Sequence, residues 1–302
     1  MTVRGARSVK EILVAMMPSE QGLRRGARNL RVRLARDVRA LATPAGLYGA
    51  VVETAWVAAH FAMYPLGVRR ERPAPDDPYG YQHLTLRQRS LLISRPEVAG
   101  TPILLVHGMI DNRAIFTVLT PKLRAYGFER VSTLNYSPAT NDIRAAAAGL
   151  GVEVERLVER TGYEQLHIVG HSLGGLIARY YVQRLGGDQR VHTLVTLGTP
   201  HHGTLAAHLV PVQLGRQLRP GSDLFTELSQ PAPACRTRFA VFWSDVDQLV
   251  VPHDNAALHH PDLIVANELV HGVGHMSLPV NNRIAQRVAE LLDERTPGGV
   301  GT

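Results

Sequence analysis

The sequence predicts an α/β protein with a mostly parallel central sheet and helices on both faces. Three observations predict it. Short apolar runs of strand length alternate with helix-length segments from about residue 103 onward, which implies βαβ units. One run, Leu166-His167-Ile168-Val169, feeds directly into Gly170-His171-Ser172-Leu173-Gly174-Gly175 and then a helical stretch. Finally, the polar motifs fall at the C-terminal ends of predicted strands, where open parallel sheets collect their ligands.

The first eighty residues stand apart from that pattern. Residues 1–40 carry ten basic against three acidic side chains, which is the whole of the net charge of +7; the other 262 residues hold 23 of each sign. Such a basic arm attracts anionic lipid head groups or nucleic acid, or solvates a helix. No aromatic residue interleaves with these arginines, which argues against base stacking, and no nucleic-acid partner is expected. The stretch from Ala45 to Met63 has 19 residues and is the longest apolar run, but Glu53 lies near its middle. A carboxylate there costs about 3 kcal/mol on insertion scales, so a packed or interfacial helix is expected rather than a span. Residues 11–17 are too short and interrupted for a secretory signal. The expected location is the cytoplasm, with peripheral contact to an anionic membrane through residues 1–63. The Pro/Asp-rich run at 71–80 (ERPAPDDPYG) supplies a boundary. It divides a helical N-terminal segment, 1–80, from a catalytic domain, 81–302.

Beyond the boundary, Ile103–Val106 and Val131–Leu134 read as strands, with helices near Ala114–Tyr126 and over Asp142–Glu159. Leu166–Val169 precedes a helix over Leu173–Arg184. Val191–Leu197, Phe239–Trp243 and Leu263–Val265 follow as strands, and a helix near Asn282–Glu294 closes the pattern. The Pro- and Leu-rich region 201–234 interrupts the alternation, as a surface excursion or a lid-like insertion.

Gly-X-Ser-X-Gly between a strand and a helix is the sequence form of a nucleophile elbow. The serine sits in a turn so tight that small neighbours are required, here Gly170 and Gly174 flanking His171 and Ser172. Serine alone is a poor nucleophile near neutral pH and needs a base, and the base needs an orienting group. After the strand RFAVFWS come two candidate acids, Asp245 and Asp247. The segment VHGVGHMS offers two candidate bases, His271 and His275. Spacing alone separates neither pair. An oxyanion further requires backbone N–H donors. Leu173 supplies one, and the Val106-His107-Gly108-Met109 turn supplies the other through Met109 N–H.

Taken together, VHGM at 106–109, GHSLGG at 170–175, LGTPHHGT at 197–204, DQLVVP at 247–252 and HGVGH at 271–275 resemble the small bacterial triacylglycerol lipases and related actinobacterial esterase/lipase proteins. The resemblance covers roughly residues 101–293 and implies an α/β-hydrolase fold. It also implies that Asp247 is the acid and His275 the base of a Ser172-His275-Asp247 triad, and that the substrate is an acyl-lipid ester cleaved through an acyl-enzyme. An acyltransferase or thioesterase would use the same triad, and a catalytically silent membrane-associated protein is the reading from outside enzymology. No cofactor is needed and no metal is expected. HGVGH lacks the Glu of a metalloprotease helix, and the adjacent histidines of His201-His202 and His259-His260 point in different directions in a strand or turn, with no cysteine cluster to support them. Cys235, the one cysteine, reads as a small buried residue.

Overall fold

Val106, Gly170 and Thr196 lie side by side on neighbouring strands, and this row of strand ends fixes where chemistry can occur. The structure is a computed structural model that describes residues 20–44, 47, 51, 85–109, 113–136 and 141–294. Apart from Leu47 and Val51, the apolar stretch 45–63 lies outside the described residues, as do the boundary at 71–80 and residues 1–19. Among the described residues, six strands form one sheet: β1 (Ile103–Val106), β2 (Val131–Leu134), β3 (Leu166–His171), β4 (Val191–Leu197), β5 (Arg238–Ser244) and β6 (Ile264–Val270). Their order is β2-β1-β3-β4-β5-β6 and every pairing is parallel. The chain steps from β1 outward to β2, then crosses back to β3 on the other side of β1. A crevice opens at such a reversal, outside the C-terminal ends of β1 and β3.

Alternate strand residues face alternate layers. Leu104, Val106, Ile168, Leu194 and Val241 pack on one face against α5 (Ile143–Thr161) and α6 (Leu173–Arg184). Ile103, Leu105, Val169, Val195 and Phe242 pack on the other against α4 (Leu119–Tyr126) and α9 (Asn282–Asp293). Both faces are thus covered, and truncating a fully buried member such as Leu105 to alanine would cost about 2–5 kcal/mol. Two short helices, α2 (Leu86–Ser94) and α3 (Pro96–Gly100), lead into β1. Asp142 caps α5 by accepting from the amides of Arg144 and Ala145, and Gly162 ends it at φ +72°.

Two elements differ from the sequence expectation. The helix near 114–126 is a 3-10 turn, Arg113–Phe116, followed by α4. Pro121 has no N–H to give Thr117, so the α-helix can begin only within the turn that contains it. The last strand runs on to Val270, five residues beyond Val265. It is an edge strand with most of its residues partly or fully exposed, so Asn267 and Glu268 interrupt the apolar signal without ending the strand.

The insertion folds into a 3-10 turn (Leu205–Leu209), α7 (Gln213–Leu218) and α8 (Asp223–Leu228). Leu214, Leu218, Leu224 and Leu228 join the same apolar layer as α5 and α6. Arg144 pairs with Glu227, and Ile143 N–H donates to Gln217 Oε1 at 2.9 Å. At the other end of the chain, α1 (Glu20–Leu41) docks on the body. Buried Asp37 accepts the His253 N–H at 3.1 Å, and Arg33 donates to Asp254 at 2.9 Å and to Asn255 at 2.6 Å. Among the described residues, no helix is long and apolar enough to cross a membrane.

Candidate active site

Ser172 joins β3 to α6 with φ +52°, ψ −121°, and it is the one non-glycine residue with positive φ among those described. That backbone is disfavoured for an L-residue and persists only where surroundings over-determine it. They do so here. Ser172 N–H donates to Leu197 O at 2.9 Å, while its carbonyl accepts from Gly175 N–H at 3.1 Å and Thr199 Oγ1 at 3.0 Å. The flanking glycines are required for close approach. A Cβ on Gly170 would stand 2.5 Å from Gly175 Cα, and one on Gly174 would stand 2.2 Å from Val106 O. Sequence places Gly170 and Gly174 around Ser172, and each stands in close backbone contact, with Gly175 and with Val106.

The turn after β1 lies against this elbow, since Gly174 abuts the carbonyls of Val106 and His107. Leu173 opens α6, and the first amides of a helix have no intrahelical acceptor. Met109 follows the turn and, like Leu134 and Tyr136, is partly buried against the apolar layer that holds α5 and α6. Tyr136, which sequence reasoning did not single out, fixes that turn. Its hydroxyl lies 2.8 Å from both His107 O and Gly108 O, sharing one proton between them, and its ring stacks on His107 at 4.3 Å. The only prior signal was its place just after β2, at the strand end adjoining β1.

Two aspartate–histidine pairs stand at the ends of β5 and β6, and every candidate acid and base is in one of them. Asp247 Oδ2 accepts from His275 Nδ1 at 2.7 Å, with both side chains buried. Its Oδ1 accepts from the Leu249 and Val250 amides, each at 2.8 Å. Burial pushes the Asp247 carboxyl up, but the His275 charge and hydrogen bond and the two amides outweigh it. The net position is below the ordinary carboxylate range. Asp245 Oδ2 meets His271 Nδ1 at 2.6 Å on the surface, and its Oδ1 accepts Gly272 N–H at 3.0 Å.

The buried pair is the one carried to the elbow. His171, adjacent to Ser172, places its ring 4.9 Å from the His275 ring and donates from Nε2 to His275 O at 3.2 Å. Gly198, at φ +59° after β4, leaves the space the imidazole occupies; a Cβ there would stand 3.1 Å from His275 Nδ1. His271 has no such contact with the β3 end.

The remaining histidines are structural neighbours. His201 Nε2 lies 3.0 Å from Thr196 Oγ1, beside the buried Arg179, which donates to His201 O at 2.8 Å and to Leu228 O at 3.3 Å. Burial pushes Arg179 down to about 9, and carbonyl acceptors at both ends of the insertion hold it. His202 stacks on His259 at 6.4 Å. Among the described residues, no group of three His, Cys, Asp or Glu side chains is arranged to hold a metal ion. Cys235 is buried, and burial pushes its thiol up.

Residues 101–220, which hold the β1 turn, the elbow and the start of the insertion, match the family model described as alpha/beta hydrolase fold. The chain has the α/β-hydrolase fold. Two curated relatives of this chain are a triacylglycerol lipase of Burkholderia plantarii, 28% identical over 43% of the chain, and a triacylglycerol lipase of Pseudarthrobacter phenanthrenivorans, 30% identical over 36%. The matches span 38% and 36% of those relatives' own lengths. Among solved structures, the mature form of Bacillus licheniformis lipase BlEst2 shares the fold with a TM-score of 0.56 at 17% identity, covering 75% of this chain and 96% of that one.

Proposed function

We propose that this α/β-hydrolase is a serine carboxylic-ester hydrolase of the lipase/esterase type, acting on acyl-lipid esters through Ser172, His275 and Asp247. The observation that carries the reading is the buried 2.7 Å Asp247–His275 contact seated against the strained elbow. Its partial matches to triacylglycerol lipases favour ester substrates.

Ser172 attacks the ester carbonyl while His275 takes its proton, and Asp247 holds the imidazole and stabilises its cation. The Leu173 and Met109 N–H groups receive the oxyanion. The tetrahedral intermediate collapses when His275 protonates the departing alkoxide. Water, deprotonated by His275, then releases the acid from Ser172. No cofactor enters these steps. The catalytic body is residues 81–302, and residues 1–80 are an N-terminal segment attached through α1. The expected setting is cytoplasmic.

Purified protein treated with a fluorophosphonate should carry the label on Ser172, and Ser172→Ala should abolish both labelling and ester hydrolysis. Undiminished hydrolysis in that variant, or labelling of another serine, sinks the proposal. A chain-length series of aryl esters, soluble and micellar, locates the acyl preference. Transfer to added alcohol in preference to water would replace hydrolysis by acyl transfer as the reaction.

A further inference from the structure

The helix α1 has two faces of different chemistry. Leu30, Arg33, Leu34 and Asp37 recur at i, i+3, i+4 and i+7 and form the less exposed face, which docks at residues 253–255. On the opposite side Arg28, Arg31, Val32, Ala35 and Arg39 recur with the same spacing, and all are exposed. A repeat of this kind marks a single helical face. Arg33 and Arg36 are engaged by Asp254 and Asp37. Among the described residues, no carboxylate pairs with Arg28, Arg31 or Arg39 in this way.

Aliphatic side chains accompany these cations. Val32 is 64% exposed, and Val38 in the last turns of the helix is exposed as well. Further exposed apolar residues come from elements tied to the same part of the body. Leu249 belongs to the acid loop itself, and Leu209 and Val212 stand at and after the turn whose Leu205 N–H donates to Val251 O. The basic face and the apolar residues are thus fastened to one stretch, 249–255, directly behind Asp247. Cations interleaved with aliphatic groups fit the boundary between lipid head groups and acyl chains. Nucleic acid would be better served by aromatic residues, and the helix has none.

We propose that the outer face of α1 is a docking surface for an anionic phospholipid bilayer, and that the Asp37–Arg33 clamp sets the orientation of the catalytic body on it. The proposal extends the lipid-ester reading of the site by naming the surface on which the substrate is met. It can be tested without catalysis.

The full chain should co-sediment with phosphatidylcholine vesicles containing phosphatidylglycerol, bind vesicles of phosphatidylcholine alone far less, and be released by added salt. Each arginine near such a surface is worth about fivefold in partitioning. The triple variant R28Q/R31Q/R39Q should therefore bind about a hundredfold more weakly, with its thermal unfolding unchanged. R28K/R31K/R39K, which keeps the charge, should recover binding. Equal binding by wild type and the glutamine variant, or equal binding to vesicles with and without phosphatidylglycerol, overturns the proposal. Retention on duplex DNA without vesicle binding overturns it in favour of a polynucleotide partner. Because sedimentation requires no turnover, the result stands apart from whether Ser172 is the nucleophile.

Discussion

The pairs Asp247–His275 and Asp245–His271 are built from the same two side chains, lie at the same two strand ends and have nearly the same length, 2.7 and 2.6 Å. Their surroundings differ. In the first, the side chains are 0% and 1% exposed; in the second, 32% and 74%. Water screens an exposed pair so strongly that its interaction is worth about 0–1 kcal/mol, whereas a dry one responds to every nearby dipole. Asp247 also takes two amides on its second oxygen, and its partner touches the residue beside Ser172. A short contact between Asp and His is therefore not a diagnosis. Desolvation, a fixed carboxylate and contact with the elbow separate the first pair from the second, and the proposed catalytic role of Asp247–His275 rests on them.

The sharpest way to break that comparison is to remove one histidine at a time. His275→Ala should reduce kcat/KM for an ester by roughly 10⁶-fold, as loss of the base does in serine hydrolases. Asp247→Asn comes next, at roughly 10⁴-fold, because an amide fails to hold the tautomer that accepts the serine proton. Both follow from steady-state kinetics on purified variants. If Asp247→Asn keeps wild-type kcat, the buried pair is structural.

How far the sequence anticipates this contrast depends on what each residue's signal is made of. Elbow and strands are legible because their signal is local: Gly170 meets Gly175 within one strand–turn–helix unit, although the contact that demands Gly174 comes from Val106 on β1. The choice between Asp245 and Asp247 is not local. Two residues apart at the end of one strand, they differ in burial and in what surrounds them, which depends on β6, Gly198 and the β3 end arriving from elsewhere. Tyr136 was invisible for the same reason, since its role is a cross-strand contact with the β1 turn. The extent of β6 was hidden because an edge strand carries little apolar pattern. The docking of α1 depends on Asp37 meeting His253, 216 residues away, and no spacing rule reaches so far.

A smaller effect tests the oxyanion side of the site. Tyr136→Phe keeps the ring on His107 but deletes the shared proton to the His107 and Gly108 carbonyls. A loosened Met109 donor should lower kcat by about tenfold, below the 10²–10³ expected for losing the donor itself. KM should move little, because the lost interaction belongs to the transition state. A rise in KM at constant kcat would instead assign Tyr136 to substrate binding.

Stability gives a gentler test of the buried carboxylate. The folded pKa of Asp247 is depressed, so its ionised form contributes stability above the ordinary carboxylate pKa of about 4. That contribution is lost as pH falls through the depressed folded value. The Tm advantage of wild type over Asp247→Asn should therefore be flat from neutral pH down to about pH 4 and shrink below it. An advantage that shrinks between about pH 7 and 5 would mean that a group other than Asp247 controls it.

The smallest effect is expected at the exposed pair, and it completes the comparison. His271→Ala removes a surface contact worth less than about 1 kcal/mol. Asp245 keeps its hydrogen bond from Gly272 N–H, so the loop leading to His275 stays attached to the β5 end. Tm should fall by no more than a few degrees and kcat/KM by less than about twofold. The difference in Tm should also vanish at high salt, since screening at about 1 M reaches within 3 Å. A loss of a hundredfold or more in His271→Ala, with His275→Ala nearly unimpaired, would invert the assignment and make the solvent-facing pair the catalytic one. Equal losses in the two variants would show that the pairs act as one relay, so that burial is not what separates them.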